Sequence, residues 1–116
     1  MNKSIVPNEV IMSKIYVIRN QKVMIDKDLA ELYDVTTRQM NQQVKRNLTR
    51  FPENFMFQLT DDEFQILMSQ IVTSSWGGIR KLPFVFTEHG ILQLSNVLKS
   101  ERATQMSIKI IEIFGL

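Results

Sequence analysis

The sequence has no cysteine, so disulfides, thiolate zinc sites, iron–sulfur clusters and thiol nucleophiles are excluded. Glycine and proline are scarce, with four and three among 116 residues, which argues against a long linker. No apolar run approaches the roughly 20 residues of a membrane-spanning helix, and no apolar segment near the N-terminus resembles a signal peptide. We therefore expect no membrane partner, and the lack of disulfides favours a reducing cytoplasm.

The residues that are present have the proportions of a small folded domain. Apolar residues make up 44% and charged residues 22%, close to the average for globular domains, and 116 residues suit one domain. Fourteen basic residues against twelve acidic ones give a net charge of +2. Because that excess is too small to indicate a partner, the distribution of charge along the chain matters more.

Short β-branched and aromatic runs predict strands. The first two runs flank the polar step Asn20-Gln21 and predict a hairpin, although the usual glycine of a tight primed turn is missing. A second predicted hairpin has Gly77-Gly78 at its tip. The predicted strands lie at residues 14–19, 22–25 and 55–59, and within residues 72–86.

Capping residues mark the expected starts of the helices. Asp26, Thr87 and Ser100 are candidate N-caps. Thr36 with Gln39, and Thr60 with Glu63, have the spacing of capping boxes. The predicted helices span residues 27–33, 37–49, 61–72, 88–98 and 101–114. Together these elements predict a small α+β domain over residues 14–116, which follows a flexible N-terminal arm of residues 1–13.

The second predicted helix has an unusual polar face. Residues 36–50 contain four cations and no acid, whereas residues 26–34 hold four acids and one lysine. On a helical wheel Met40, Val44 and Leu48 form an apolar stripe. Asn41 and Gln43 flank this stripe, and the opposite side is rich in cations and amides. The candidate binding residues of this segment are Arg38, Gln39, Gln42, Lys45, Arg46 and Arg50.

Such a face suits double-stranded DNA. Arginine, glutamine and asparagine read base edges and lysine binds phosphate, and a short helix followed by a tight break and a basic helix is a helix-turn-helix layout. One alternative is a plain surface helix that happens to lack acids. Another is single-stranded RNA binding, which would need Phe55 and Phe57 exposed on a sheet. Core positions are the simpler interpretation of both aromatic residues.

The predicted Gly77-Gly78 hairpin carries Arg80 and Lys81 next to its tip. As a functional element it is a wing that binds phosphates through these cations and through backbone N–H groups. As structure alone it is an ordinary turn, with Trp76 folded onto the core. The hairpin is not a nucleotide-binding phosphate loop, because the Gly-x-x-x-x-Gly-Lys pattern is absent.

His89 and the nearby acids do not predict catalysis. His89 is the single histidine, and Glu88 before it suits a helix N-terminus. Asp61, Asp62 and Glu63 are likewise expected to be first-turn acids of a helix. Because no nucleophile–base–acid set has a recognisable spacing, we expect no enzyme activity, no metal and no cofactor.

The last predicted helix is apolar over more than one side. Ile108 and Ile111 point away from the stripe that faces the core, so this helix needs a second cover. A partner subunit supplies one, and we expect a homodimer through the C-terminal helix. The core-facing stripe consists of Ala103, Met106, Ile110, Ile113 and Phe114.

Several linked motifs are spread over residues 15–114. They include Gln21-Lys22-Val23-Met24-Ile25-Asp26, Asp28-Leu29-Ala30-Glu31-Leu32-Tyr33, Asn41-Gln42-x-Val44-Lys45-Arg46-Asn47, Arg50-Phe51-Pro52-Glu53, Trp76-Gly77-Gly78-x-Arg80, Phe86-Thr87-Glu88-x-Gly90 and Ser100-Glu101-Arg102-Ala103. Together these motifs resemble the ORF-six-N domain, which belongs with the KilA-N and Bro-N group of phage antirepressors and prophage-derived bacterial proteins. Where Gln is most expected in the Thr-Glu-Gln-Gly motif, this chain has His89.

The resemblance implies a DNA-binding domain in phage or prophage gene regulation, often with a further C-terminal region. The expected function is therefore sequence-selective binding of double-stranded DNA. The alternative is a protein-interaction module, because an antirepressor can act by binding a repressor protein instead of an operator. The two functions differ in their response to salt, since phosphate contacts weaken steeply as salt rises.

Overall fold

Four short strands and six α-helices make up the described part of the chain, residues 6–71 and 81–116 of a computed structural model. The fold is a small α+β domain, as the sequence predicted. The strands are β1 (Tyr16–Ile18), β2 (Gln21–Ile25), β3 (Met56–Gln58) and β4 (Phe84–Phe86). The helices are α1 (Asn8–Met12), α2 (Asp26–Tyr33), α3 (Thr37–Arg46), α4 (Asp61–Gln70), α5 (Glu88–Leu98) and α6 (Glu101–Phe114), and a 3-10 helix (Leu48–Arg50) follows α3.

The strands form one antiparallel sheet in the order β1-β2-β4-β3. Met24 pairs with Phe86, which also pairs with Met56, and these three residues belong to the larger core under α1, α2, α3, α5 and α6. Because side chains alternate along a strand, the neighbouring residues face the other way, toward a smaller core under α4. That second set consists of Val23, Ile25, Phe57 and Val85.

The first hairpin turns one residue earlier than the sequence predicted. Ile18 pairs with Gln21, so Arg19 and Asn20 are the central residues, with φ of 55° and 62°. Two positive φ values are those of the type I′ turn that suits twisted strands. The Arg19 guanidinium donates to the Glu63 carboxylate (Nε to Oε2, 2.7 Å). This hydrogen bond holds the pKa of the Glu63 carboxyl below its usual range.

A three-residue turn joins α2 to α3 in a helix-turn-helix arrangement. Asp34 ends α2 with φ of 62°, in the left-handed conformation typical of helix C-termini. Thr36 and Gln39 form the predicted capping box at the start of α3. At the start of α2, however, the N-cap position belongs to Ile25, and Asp26 is the first helical residue. The prediction that Asp26 is the N-cap was therefore wrong.

Helix α3 ends at Arg46, about one turn before the predicted end near residue 49. Met40 and Val44 are buried, as the helical wheel predicted, whereas Leu48 is 58% exposed. Leu48 lies in the 3-10 helix, whose tighter winding turns it away from the stripe. The apolar stripe of α3 is thus shorter by one residue than the wheel predicted.

The later helices begin where their capping residues indicated. Thr60 and Glu63 form a capping box on α4, and Ser100 Oγ accepts from the Ala103 N–H at 3.0 Å on α6. Thr87 occupies the N-cap position of α5, but its hydroxyl donates to the carbonyl oxygen of Asn54 at 3.0 Å. The predicted core stripe of α6 is buried along its whole length. None of the helices in the described residues is long and apolar enough to cross a membrane.

The N-terminal region differs from the flexible arm that the sequence predicted. Residues 8–12 form α1, and Ile11 is fully buried in the larger core, where α1 lies against α6. Lys109 of α6 also donates from Nζ to the Val6 carbonyl oxygen. One buried apolar residue in so short a helix forms no recognisable pattern in the sequence. The burial of Ile11 depends on α6, which is distant along the chain. Residues 1–5 lie outside the described residues.

Most of the second predicted hairpin lies outside the described residues, which omit residues 72–80 with Trp76, Gly77-Gly78 and Arg80. Its last part is β4, which lies between β2 and β3.

Candidate nucleic-acid interface

The outer face of α3 is cationic, rich in amides and exposed. Met40 and Val44 pack this helix into the core, so the residues on its other side face solvent. Within the described residues, Arg38, Lys45 and Arg46 form no ion pair with an acid. Their charges are therefore available to a polyanion. The exposed candidate residues of this segment are Arg38, Gln39, Gln42, Lys45, Arg46 and Arg50.

A groove of about 540 Å³ runs between α3 and residues 81–84, the segment that leads into β4. Lys81 lies in that segment, so the groove brings together a cation of the predicted wing and the polar face of α3. The α3 residues on the groove are Thr37, Arg38, Asn41, Gln42 and Lys45, and the remaining lining residues are Asp26, Lys27, Lys81, Leu82, Pro83 and Phe84.

The predicted site residues do not all share this groove. Arg46 and Arg50 are exposed, but they do not line it. Gln39 is engaged in the cap of its own helix, because its Oε1 accepts from the Thr36 N–H at 2.9 Å. Arg80 lies outside the described residues. The groove thus assembles Arg38, Gln42, Lys45 and Lys81 from the predicted set.

A buried acid lies under the groove and connects its two walls. Asp26 is only 6% exposed, and its Oδ2 accepts from Asn41 Nδ2 at 3.0 Å and from the Phe84 backbone N–H at 3.4 Å. Its Oδ1 accepts from the Lys27 backbone N–H at 2.7 Å. One carboxylate therefore links the start of α2, the middle of α3 and the first residue of β4.

Sequence reasoning missed the structural roles of Asp26 and Asn41. The wheel placed Asn41 at the border of the apolar stripe, and Asp26 was interpreted as a local cap. The two residues are fifteen positions apart along the chain, a separation that matches no helical or strand periodicity. The sequence therefore showed only that Asn41 lies at the edge of the apolar stripe and that the preceding helix is rich in acids. The contact depends on how α2 packs against α3.

His89 lies at the opening of α5, next to an aromatic ring. Its imidazole stacks on Phe55 with ring centroids 5.2 Å apart and an angle of 24° between the planes. The described residues contain no group of three or more histidine, aspartate or glutamate side chains placed to hold a metal ion. The local arrangement around His89 is therefore one of aromatic packing.

Comparison with protein families identifies a match that covers the groove. The family model described as the ORF6N domain matches residues 13–97, which include α2, α3, β4 and the whole groove. Searches of curated proteins and of solved structures found no match.

Proposed function

This chain belongs to the ORF6N domain family, and from that premise we propose that it is a sequence-selective, double-stranded DNA-binding domain of a phage- or prophage-type transcriptional regulator. The observation that carries the proposal is the exposed face of α3, which has cations and amides without any acid. Ordinary surface helices carry both acidic and basic side chains, and ion pairs between them stabilise the helix. A face without acids is suited to a partner that is itself uniformly negative.

Helix α3 is the proposed reading helix in the major groove. The guanidinium group of Arg38 is suited to the edge of guanine, and the side-chain amide of Gln42 is suited to the edge of adenine. Lys45 and Arg46 are the proposed phosphate contacts next to these two readers. Arg50 is proposed to contact a phosphate further along the same DNA strand. Gln39 offers the two N–H donors of its side-chain amide, because its oxygen already accepts a hydrogen bond in the capping box.

Lys81 extends the proposed interface beyond α3. It lies on the groove wall formed by residues 81–84, so a DNA backbone that passes along the groove meets cations on both sides. Arg80 is part of the same proposal on the basis of sequence alone. Phosphate contacts of this kind fix the orientation of the protein on the duplex without reading its sequence.

A titration of the protein against a random duplex at two salt concentrations tests the proposal. Binding that involves several phosphates weakens linearly in a log–log plot, with a slope of about −0.9 per phosphate. The quadruple change of Arg38, Gln42, Lys45 and Arg46 to alanine should abolish measurable affinity, while circular dichroism shows an unchanged fold. Unchanged affinity of that folded variant would exclude α3 as the reader.

The alternative function is binding to a repressor protein. Exposed apolar side chains favour it, among them Ile66 at 55% and Ile108 at 54% exposure. An apolar protein contact responds little to salt, so affinity for a protein partner that is stable to salt, together with no affinity for duplex DNA, would establish this alternative. In either case we propose a binding protein of the cytoplasm without catalytic activity, cofactor or metal.

We also propose that the domain acts as a homodimer through α6. Two-fold symmetry matches a palindromic operator and doubles the number of phosphate contacts. Ile108 supports the proposal because it is exposed on α6. Ile111 supports it less, since it is half-buried and packs against the larger core.

A further inference from the structure

The amide of Asn41 has a fixed orientation at the floor of the groove. An ionised carboxylate only accepts hydrogen bonds, so Asp26 requires the nitrogen of the Asn41 amide, and not its oxygen, on its side. The distance of 3.0 Å between Asn41 Nδ2 and Asp26 Oδ2 agrees with this orientation. Within the described residues, the Asn41 Oδ1 accepts no hydrogen bond. With respect to the described residues that oxygen is therefore a free acceptor, and one N–H of the same amide remains beside it.

We infer that Asn41, oriented by Asp26, is a base-reading residue that accepts a hydrogen bond from the exocyclic amino group of adenine or cytosine. In the major groove, adenine N6 and cytosine N4 are the donors, whereas guanine and thymine present acceptors at the equivalent positions. The inference rests on the proposed DNA-binding function, and it names the base chemistry that the α3 groove selects.

The distribution of charge in the groove favours a base over a phosphate at this position. The floor presents acceptors, namely the Asp26 carboxylate and the Asn41 oxygen, and an anionic phosphate there would meet repulsion. The cations that line the same groove are Lys27, Arg38, Lys45 and Lys81. A DNA backbone held by Arg38, Lys45 and Lys81 brings the base edge, and not the phosphate, to the floor.

Asp26 is a positioning residue in this scheme. It orients Asn41 through Oδ2, and the same oxygen accepts from the Phe84 N–H, which fixes the segment that carries Lys81. Asp26 as a residue is only 6% exposed, so in this scheme it acts through Asn41 and does not itself contact a base. Through these two hydrogen bonds, Asp26 fixes the position of Asn41 and of the opposite wall of the groove.

Selection from a library of fully randomised duplexes tests the inference with the wild-type chain, Asn41→Ala and Gln42→Ala. We expect the wild type to prefer adenine or cytosine at one position of the selected site. Asn41→Ala should lose the preference at that position by about tenfold, the effect of one good base contact, and keep the others. Gln42→Ala, the matched control one residue along the helix, should lose the preference at a different position.

Base analogues then identify the atom that is read. In the selected duplex, purine replaces adenine or 2-pyrimidinone replaces cytosine at the position in question, so that only the amino group is removed. The wild type should bind the analogue about tenfold more weakly, whereas Asn41→Ala should bind both duplexes equally. Asp26→Asn, if folded, should reduce the same preference and leave the salt dependence of binding unchanged.

The outcomes separate this inference from the function on which it rests. If Asn41→Ala keeps every base preference while Gln42→Ala loses one, the chain reads DNA without Asn41, and only the inference is wrong. The same holds if removal of the amino group leaves wild-type affinity unchanged. If the wild type enriches no duplex from the library, the proposed function and the inference both fail.

Discussion

Gly90 lies at a position where there is no room for a Cβ atom. A Cβ at this position would lie 2.1 Å from the Phe55 carbonyl oxygen, far inside van der Waals contact. That oxygen has little freedom to move, because it accepts from the Thr87 backbone N–H at 3.0 Å and from the Thr87 hydroxyl at 3.2 Å. The glycine of the Thr-Glu-x-Gly motif therefore permits the start of α5 to approach the loop before β3.

Gly90→Ala should lower the free energy of unfolding by about 1–3 kcal/mol, the usual range for an overpacked site. Chemical denaturation monitored by circular dichroism measures this loss. Gly115→Ala is the matched control, because the nearest atom to its added Cβ lies 3.6 Å away, and it should change stability by less than about 0.5 kcal/mol. Equal effects of the two changes would show that the close approach at Phe55 is not a constraint.

The side chains of α3 should separate into readers and phosphate contacts. Gln42→Ala should cost about 1–3 kcal/mol on the preferred duplex and little on random duplex. Lys45→Gln should weaken both duplexes alike and flatten the salt slope by about one unit. Fluorescence anisotropy at several salt concentrations measures both quantities.

Lys99→Gln is the control for the loss of one positive charge. Lys99 is exposed at the end of α5 and does not line the groove, so its change should leave the salt slope intact. A slope that flattens equally for Lys45→Gln and Lys99→Gln would mean that net charge alone drives binding, with no phosphate contact at Lys45.

At the scale of the element, the start of α3 depends on its capping box. Thr36 Oγ1 accepts from the Gln39 N–H at 3.0 Å, and Gln39 Oε1 accepts from the Thr36 N–H at 2.9 Å. Two backbone N–H groups at the exposed end of a helix are thereby satisfied. Arg38 lies between these two residues in the first turn of α3, so the capping box also holds the backbone of Arg38.

Thr36→Ala should destabilise the domain by about 1 kcal/mol, a typical cost of a lost N-cap. Thr36→Ser keeps the hydroxyl and should remain within a few tenths of a kcal/mol of the wild type. Thermal and chemical denaturation of the three proteins measure the difference. If serine and alanine destabilise equally, the methyl group of Thr36 and not its hydroxyl holds the turn.

The sequence predicted best those elements whose signals are local. Thr36, Thr60 and Ser100 each lie within three residues of the N–H group that they cap, so spacing alone identified them. The α6 stripe was equally clear, because it repeats over about three turns of the helix. A local pattern and its structural consequence occupy the same stretch of chain, and this is why these predictions hold.

The missed features depend on contacts between distant segments. Asp26 resembled a cap, yet its carboxylate bonds to Asn41 and Phe84, fifteen and fifty-eight positions away. Ile11 is buried only because α6 lies against α1. The candidate site was predicted only in part. The helical wheel identified the exposed residues of α3 and the predicted wing supplied Lys81, but the groove that brings them together depends on the fold.

Helix α1 and the end of α6 create an exposed surface with apolar side chains. Ile108 is 54% and Leu116 is 79% exposed, and both line a groove of about 470 Å³ together with Asn8 of α1. Ile111 is half-buried in the larger core. Ile108 is therefore the better probe of the homodimer proposed above, because a charge there changes the surface without entering the core.

Ile108→Lys should convert a dimer into a monomer that binds DNA more weakly, because each monomer presents one α3 where the dimer presents two. Sedimentation velocity measures the mass, and anisotropy on a palindromic duplex measures the affinity. Ile66→Lys is the matched control, since Ile66 is equally exposed at 55% but lies on α4, on the other side of the sheet; that variant should remain dimeric. A wild-type chain that sediments as a monomer at high micromolar concentration would rule out the dimer, and the affinity of the domain would then rest on the contacts of a single α3 and its groove.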